Sequence, residues 1–166
     1  NEIWRQTNKS KFSRFLDFKF SNSFYYPKIP GHLKIQNICR IIIGENKRIN
    51  LKEKKWEIKE LEEKEILNFL QQKIIKCDST RNWSNLLNHF LTDKKNIVGL
   101  NISGKEIPLL EIICNSKNNF LNSKTLLINV EENTSVNISQ INIGDKNSAL
   151  SISSYFNIGE DSVVNH

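Results

Sequence analysis

The sequence predicts an α+β protein in which an N-terminal helical domain, residues 1–95, precedes the first coils of a parallel β-helix, residues 96–166. Apolar residues recur at helical spacing in the first part and in short alternating runs in the second. The charge balance changes at the same place, from 20 Lys/Arg and 11 Asp/Glu to 4 and 7. A short segment at 130–137 also recurs at 158–165, near the end of the chain, which is typical of stacked coils.

The N-terminal domain is expected to contain a strand and two helices. The run ICRIII, followed by a turn at Gly44, is β-branched and short enough for a strand. A helix is predicted from Trp56 onward, because a stripe of apolar residues there leaves a charged face of Glu and Lys. A second helix begins after Asp78 or Ser79, either of which can cap its free amides. The stripes comprise Ile58, Leu61, Ile66, Leu67, Phe69, Leu70 and Ile74 in the first helix, and Trp83, Leu86, Leu87, Phe90 and Leu91 in the second.

Six strands are predicted after Asn96, where no helical stripe recurs. Gly, Asn and Asp residues mark the turns between them. The six segments are NIVGLNIS, EIPLLEIIC, TLLINV, SVNISQINI, ALSISSYFNI and SVVNH. Such strands can form a sandwich, but the recurrence favours a parallel solenoid in which each coil stacks on the last.

The recurring segment consists of a strand, a corner and a second strand. Residues 130–137 (VEENTSVN) match residues 158–165 (IGEDSVVN), with an apolar start, an acidic turn and a closing asparagine in both. Residues 43–50 (IGENKRIN) are a weaker match, which we interpret as an ordinary hairpin turn. A coil that stops at His166 leaves an open edge, which we expect further coils or a partner to cover. This ending and the absence of methionine predict that the chain is part of a larger protein.

The basic first part raises nucleic-acid binding as an alternative function. Residues 1–95 carry a net charge of +9, against −3 for the remainder. Lysines and glutamates alternate in LKEKKWEIKELEEKEI, however, which is more typical of a solvated helix face than of a nucleic-acid surface. The residues of such a module are Trp4, Arg5, Lys9, Lys11 and Arg14, with Phe12 and Phe15 as stacking partners.

No catalytic, cofactor-binding or metal-binding residue is predicted in the chain. The cysteines are odd in number and widely spaced, so we expect buried reduced thiols and not a zinc site or a redox pair. The histidines share no metal-ligand spacing. These residues are Cys39, Cys77 and Cys114, and His32, His89 and His166. No G-x-S-x-G, P-loop or Rossmann glycine pattern occurs, so any nucleotide hydrolysis must come from a partner.

A carbohydrate-active β-helix enzyme is a further alternative, because such enzymes use paired carboxylates on one strand face. The candidate carboxylates are Glu131, Glu132, Glu160 and Asp161. Adjacent carboxylates at a turn point to opposite sides, and they more often solvate the corner. No apolar run approaches the roughly 20 residues that a membrane-spanning helix needs, so no membrane partner is expected.

Two stretches of the chain together match the pattern of one known family. NEIWRQTN, with Trp4-Arg5 and Thr7-Asn8, is similar to the EEWRYTD/N signature near the start of SufD proteins. EIPLLEIIC, TLLINVEENTSVNISQ and YFNIGEDSVVNH follow each other in the order and spacing of that family's core. The chain thus resembles the SufB/SufD family of iron-sulfur cluster assembly proteins, weakly between Ser10 and Thr92 and well from Gly99 onward. Asn8 stands where Asp is common, and Ser135 fills the small-residue position of the second strand motif.

This resemblance implies a non-catalytic, SufD-like scaffold subunit that supports cluster assembly and iron supply. It implies an N-terminal helical region, a right-handed parallel β-helix and a C-terminal helical domain. The partners would be a SufB-like protein, paired through the β-helix, and a SufC-like ATPase, with no nucleic acid and no membrane. The iron-sulfur cluster and the ATP, bound by the SufC-like subunit, would belong to the whole complex. The family's metal-related and docking residues fall beyond residue 166, so none is carried over, and the expected location is the cytoplasm, or the plastid stroma in a photosynthetic eukaryote.

Overall fold

The computed structural model describes residues 19–20, 38–43, 48–74, 97–116, 120–144 and 147–166. These residues form two β-sheets and one helix. The strands are β1 (Lys19–Phe20), β2 (Ile38–Ile42), β3 (Asn50–Lys52), β4 (Trp56–Glu60), β5 (Ile97–Gly104), β6 (Leu109–Ser116), β7 (Phe120–Val130), β8 (Ser135–Gly144), β9 (Ala149–Ile158) and β10 (Val163–Asn165), and the helix is α1 (Glu63–Ile74). Within these ranges no helix is long and apolar enough to cross a membrane.

One sheet is entirely parallel and runs in the order β2-β6-β8-β10. Its second strand is buried on both faces, since every residue from Leu110 to Ser116 is buried. An ion pair joins Arg40 to Glu111, which face each other in register on β2 and β6. The Glu111 side chain is only 4% exposed, so Arg40 supplies the positive charge that a buried carboxylate requires.

The other sheet is mixed and runs in the order β9-β7-β5-β4-β3, with β1 paired to the start of β7. Strands β5, β7 and β9 are parallel to each other. Strands β3 and β4 form an antiparallel pair, and β4 lies antiparallel along β5 from Trp56 to Glu60. The edge of β5 that faces away from β7 is therefore already occupied by β4.

The parallel pairings between residues 97 and 166 share one constant offset in sequence number. In the mixed sheet Ile97 of β5 pairs with Thr125 of β7, and Leu121 of β7 pairs with Ala149 of β9. The parallel sheet shows the same offset between β6 and β8 and between β8 and β10. The chain alternates between the sheets from β5 to β10, so one offset corresponds to one pass through both sheets. We refer to each such pass as a coil. The recurrence seen in the sequence is thus confirmed as a structural register, with an offset of 28.

The main core lies between the two sheets and is built from alternate residues of the strands. Leu126, Ile128 and Val130 of β7 contribute to it from the mixed sheet, and Leu110 and Ile112 of β6 contribute from the parallel sheet. All five are at most 1% exposed. Because the residues between them point the opposite way, each strand also presents a second face that another layer can cover.

Helix α1 covers part of this second face of the mixed sheet. Phe69 of the helix and the preceding Leu61 pack against Leu127, which alternates with the core residues of β7. The helix begins with a capping interaction, in which the Glu62 backbone N–H donates to the Glu65 carboxylate at 2.7 Å. This contact satisfies one of the amides that the first turn of a helix leaves without a partner.

The helix predicted from Trp56 is wrong in its first part, because Trp56–Glu60 forms strand β4. The segment WEIKE alternates apolar and charged residues, which is the period of a strand. Ile58 belongs to the core between the sheets and is fully buried, a contact that the strand provides. The helix itself is confirmed from Glu63 onward, although Leu67 lies off the buried stripe and is 47% exposed.

Other predictions for the first 95 residues have mixed outcomes. The strand ICRIII is confirmed as β2, but β2 and β3 belong to different sheets and do not pair as the two arms of the predicted hairpin would; its turn residues 44–47 lie outside the described residues. The described residues before position 96 contain four strands and one helix, so these residues are less helical than predicted. The second predicted helix and the domain boundary at 95–96 lie outside the described residues. All six strands predicted after Asn96 are confirmed.

Candidate functional site

The candidate site is the edge at which strands β9 and β10 end the two sheets. Strand β9 pairs with β7 along Leu121–Val130, and β10 pairs with β8 along Ser135–Asn137. In the part of the chain that the structure describes, no strand pairs with the other side of β9 or β10. We refer to this side of the two strands as the open edge. An unpaired strand edge offers a row of backbone donors and acceptors to another strand.

A ladder of asparagine side chains crosses the mixed sheet toward the open edge. Asn101, Asn129 and Asn157 occupy successive strands in register. The Asn129 Nδ2 donates to the Asn101 Oδ1 at 2.6 Å, and the Asn157 Nδ2 donates to the Asn129 Oδ1 at 2.7 Å. At the first rung the Asn101 Nδ2 donates to the Glu131 carboxylate at 2.7 Å. The ladder therefore has a direction, because each of the later side chains donates to the preceding coil.

A second ladder with the same direction lies in the parallel sheet. The Asn165 Nδ2 of β10 donates to the Asn137 Oδ1 of β8 at 2.9 Å. Asn157 and Asn165, the last rungs of the two ladders, are both exposed. Their Nδ2 groups are engaged, and no described residue donates to either Oδ1. The open edge thus presents two side-chain acceptors beside its backbone groups.

The corners of the last two coils stack directly on each other. Asn133 and Asp161 take the same position in the two turns, with φ of 55° and 53°. Asn and Asp tolerate this left-handed conformation better than most residues, which explains their use here. The Asn133 N–H donates to the Glu160 carbonyl at 3.0 Å, and the Gly159 N–H donates to the Val130 carbonyl at 2.8 Å. Backbone hydrogen bonding therefore continues from the strands through the corner.

Gly159 lies where the backbones of the two corners are in close contact. A Cβ atom at this position would lie 2.6 Å from the Glu132 nitrogen and 2.9 Å from the Glu131 carbonyl carbon. Ser162 reinforces the same contact, since its hydroxyl donates to the Glu131 carbonyl at 2.7 Å and accepts from the Thr134 N–H at 3.0 Å. The corner is thus fixed by backbone contacts that leave no space for a larger residue.

Apolar side chains flank the corner at the open edge. Ile158 is 50% exposed and Val163 is 55% exposed, and they lie on either side of the turn. Phe156 packs its ring against the His166 imidazole, with 5.2 Å between the centroids. Phe156 and Val164 contact the main core but are only partly buried. The core therefore continues to the open edge without being fully covered there.

The interior between the sheets becomes polar near the end of β6 and the start of β7. The Ser116 hydroxyl donates to the Ala149 carbonyl at 2.8 Å and accepts from the Asn122 Nδ2 at 3.0 Å. Burial raises the pKa of the Cys114 thiol to about 12, and nearby Lys124 partly opposes this rise. Burial lowers the pKa of Lys124 in turn. Cys114 is therefore a protonated thiol at neutral pH and a poor nucleophile.

The cysteine prediction is confirmed for the two residues that the structure describes. Cys39 and Cys114 are buried free thiols. Burial also raises the pKa of Cys39, and Glu53 adds to the effect. Cys77, His32 and His89 lie outside the described residues. Within the ranges described, no three His, Cys, Asp or Glu side chains are grouped closely enough to hold a metal ion.

The residues suggested for carbohydrate chemistry lie among the described residues, whereas those suggested for nucleic-acid binding do not. The carboxylates suggested for carbohydrate chemistry lie on the exposed corners, and Glu131 serves as the acceptor of the Asn101 amide. The corners that carry these carboxylates stack on each other, and all four residues are exposed. The residues suggested for nucleic-acid binding all precede position 19 and lie outside the described residues.

The asparagine ladders were missed by reasoning from the sequence, although the signal is present. Asn101, Asn129 and Asn157 recur at a constant interval of 28, as do Asn137 and Asn165. The recurring segments 130–137 and 158–165 include Asn137 and Asn165, whereas Asn101, Asn129 and Asn157 lie outside them.

Comparison with protein-family models, with curated proteins and with solved structures finds no match to this chain.

Proposed function

We propose that this chain is a SufD-like scaffold subunit of a SufB-SufC-SufD iron-sulfur cluster assembly complex. In this proposal residues 96–166 form the first coils of a right-handed parallel β-helix. The β-helix pairs with a SufB-like protein, and a SufC-like subunit supplies ATP hydrolysis. The chain supports cluster assembly and iron supply without catalytic residues of its own, and the cluster and the ATP belong to the complex.

The observation that carries the proposal is the common register of both sheets, in which every parallel pairing after residue 97 has the same offset. Coils of constant length with matching corners are the defining feature of a β-helix. This geometry supports the part of the sequence resemblance that runs from EIPLLEIIC to YFNIGEDSVVNH, where the strand order and spacing match the family.

The edges of the first coil add to this support. Strand β4 covers the outer edge of β5, and β2 covers the outer edge of β6. Repeat proteins need such caps, since an uncovered first coil would expose its core and its backbone groups. Among the described residues the outer edges of β9 and β10 are unpaired, so a further coil or a partner strand can extend both sheets there.

Affinity purification of the tagged full-length protein from its source cells tests the proposal. We expect the SufB-like and SufC-like proteins to co-purify with it. A Val136→Asp variant is expected to lose the SufB-like protein, because Val136 is 1% exposed in the core and a buried charge would disrupt the coils. Lys59→Gln is a matched surface control, since Lys59 is exposed on β4. Recovery of neither partner with the unchanged protein would refute the proposal.

A further inference from the structure

We propose that the ion pair between Arg40 and Glu111 selects the register in which strand β2 covers the first coil. Strand β2 pairs in parallel with β6, and Arg40 lies directly opposite Glu111. In this proposal the pair distinguishes between alternative alignments of the two strands more than it adds to the stability of the protein. The inference goes beyond the proposed function, because it concerns only how the first coil is closed.

The apolar side chains of β2 select its register only weakly. Cys39, Ile41 and Ile43 point into the core between the sheets, and all three are at most 9% exposed. Because side chains alternate along a strand, a shift of β2 by two residues keeps the same three side chains on the core side. After such a shift in either direction, two of the three still lie opposite a core residue of β6, namely Leu110, Ile112 or Cys114.

The side chains on the other face of β2 distinguish these alignments clearly. The Glu111 side chain is 4% exposed, and Arg40 supplies its positive charge. A shift of β2 toward the end of β6 would put Ile38 opposite Glu111, and a shift toward the start of β6 would put Ile42 there. Either shift leaves a buried carboxylate without its cation, which is strongly unfavourable.

The energetics of buried ion pairs favour a role in selecting the register. Compared with two apolar side chains of similar size, such a pair adds little stability, because its charges have been removed from water. It acts strongly against any alignment in which one of the charges is buried alone. Ile113 follows on the same face of β6 and is fully buried, so apolar side chains would be accommodated at the position of the pair.

Disulfide trapping in the full-length protein reports the register directly. Paired strands lie roughly 4.8 Å apart, so Cys39 can form a disulfide with a cysteine directly opposite it. A shift by two residues separates the same Cα atoms by about 8 Å, which is too far for a disulfide. Leu110→Cys therefore reports the observed register, and Ile112→Cys and Pro108→Cys report the two shifted ones. The background carries two substitutions that remove the other cysteines, Cys77→Ser and Cys114→Ala.

With the ion pair present, we expect Cys39 to cross-link only with the Leu110→Cys probe. With Arg40→Leu and Glu111→Leu together, we expect cross-linking with Leu110→Cys and with at least one probe of a shifted register. The control removes an exposed ion pair on β3 and β4 by Lys52→Leu with Glu57→Leu, and it should cross-link only with Leu110→Cys. Cross-linking of the double leucine variant at Leu110→Cys alone would overturn the inference, as would cross-linking at a shifted probe while the ion pair is present.

Urea unfolding without the cysteine probes tests the same inference for proteins whose cores are unchanged. Arg40→Leu alone should raise the equilibrium constant of unfolding about a hundredfold or more, because Glu111 stays buried without a cation. Arg40→Leu with Glu111→Leu should stay within about tenfold of the unchanged protein. A loss for Arg40→Leu no larger than that of the double variant would show that Glu111 does not require a cation, and it would overturn the inference.

Discussion

Replacing the central asparagine of the first ladder gives the sharpest test of how the coils are held together. Asn129→Leu removes the donor to the Asn101 Oδ1, which lies 2.6 Å away in the structure. Asn101 is only 5% exposed, so water does not readily replace the lost donor. A buried polar atom left without a partner costs about 1–3 kcal/mol. Asn157, on the other side of the rung, is exposed and recovers a hydrogen bond to water.

Apolar contacts of the new leucine side chain offset part of this cost, so we expect the free energy of unfolding to fall by roughly 2 kcal/mol. Asn157→Leu is the matched control at the end of the same ladder. It should cost less than about 1 kcal/mol, because the Asn129 Oδ1 that it leaves is only half-buried and lies next to solvent. Urea unfolding followed by circular dichroism measures both changes in the free energy of unfolding.

The double variant Asn101→Leu with Asn129→Leu tests whether the two side chains stabilise the protein through their mutual hydrogen bond. Both partners of the rung are then removed together, and the exposed Glu131 carboxylate that accepted from Asn101 is hydrated instead. We therefore expect the double variant to be less destabilised than the sum of the two single variants. Additive losses in this cycle would show that the two side chains are not coupled and would refute the reasoning.

Three further predictions concern the thiols and the corner. In a Cys77→Ser variant at pH 8, a thiol reagent should react slowly with the folded protein and rapidly with two thiols in urea. The reason is that Cys39 and Cys114 are buried and their pKa values are raised. Rapid reaction of both thiols in the folded protein would contradict this prediction. The folded state keeps the Cys114 proton up to its pKa of about 12, while the unfolded state releases it from about 9, so this contribution to stability is complete below pH 9 and is lost as the pH rises toward 12. Between pH 7.5 and pH 10.5, the free energy of unfolding measured in urea should therefore fall less for Cys114→Ala than for the unchanged protein. An equal fall in both proteins would contradict a raised Cys114 pKa in the folded state. Gly159→Ala should lower hydrogen-exchange protection in β10, because its Cβ would lie 2.6 Å from the Glu132 backbone nitrogen. Gly144→Ala is the control, since its nearest contact is a serine hydroxyl that can rotate away. Equal effects of both changes would contradict the close stacking of the corners.

The sequence contains enough information to predict the strands after Asn96, because alternation and turn residues act over a few positions. It also contains the offset between coils, since matching corners require matching residues such as Asn133 and Asp161 in the left-handed conformation. The helix predicted over Trp56–Glu60 is wrong, because the residues there fit both the helical period and the period of a strand. The predicted helical stripe and the alternating strand both include Ile58, and local spacing alone does not choose between them.

The pairing partners of the early strands depend on tertiary structure. Strand β4 exists because β5 offers it an edge to pair with and because Ile58 fills the core between the sheets. Neither contact is visible in a segment of five residues. The same is true of Arg40 and Glu111, which are 71 residues apart in sequence and form an ion pair only because β2 lies parallel to β6.

What the sequence determined by itself is therefore the repeating unit: its strands, its corner and its length. Tertiary structure decided how the units are terminated and what they expose. Strands β2 and β4 close the first coil, and the two ladders begin at Asn101 and Asn137 and end at Asn157 and Asn165. The physical reason is that turn and strand preferences are local, whereas hydrogen-bond partners and burial depend on which distant strands become neighbours.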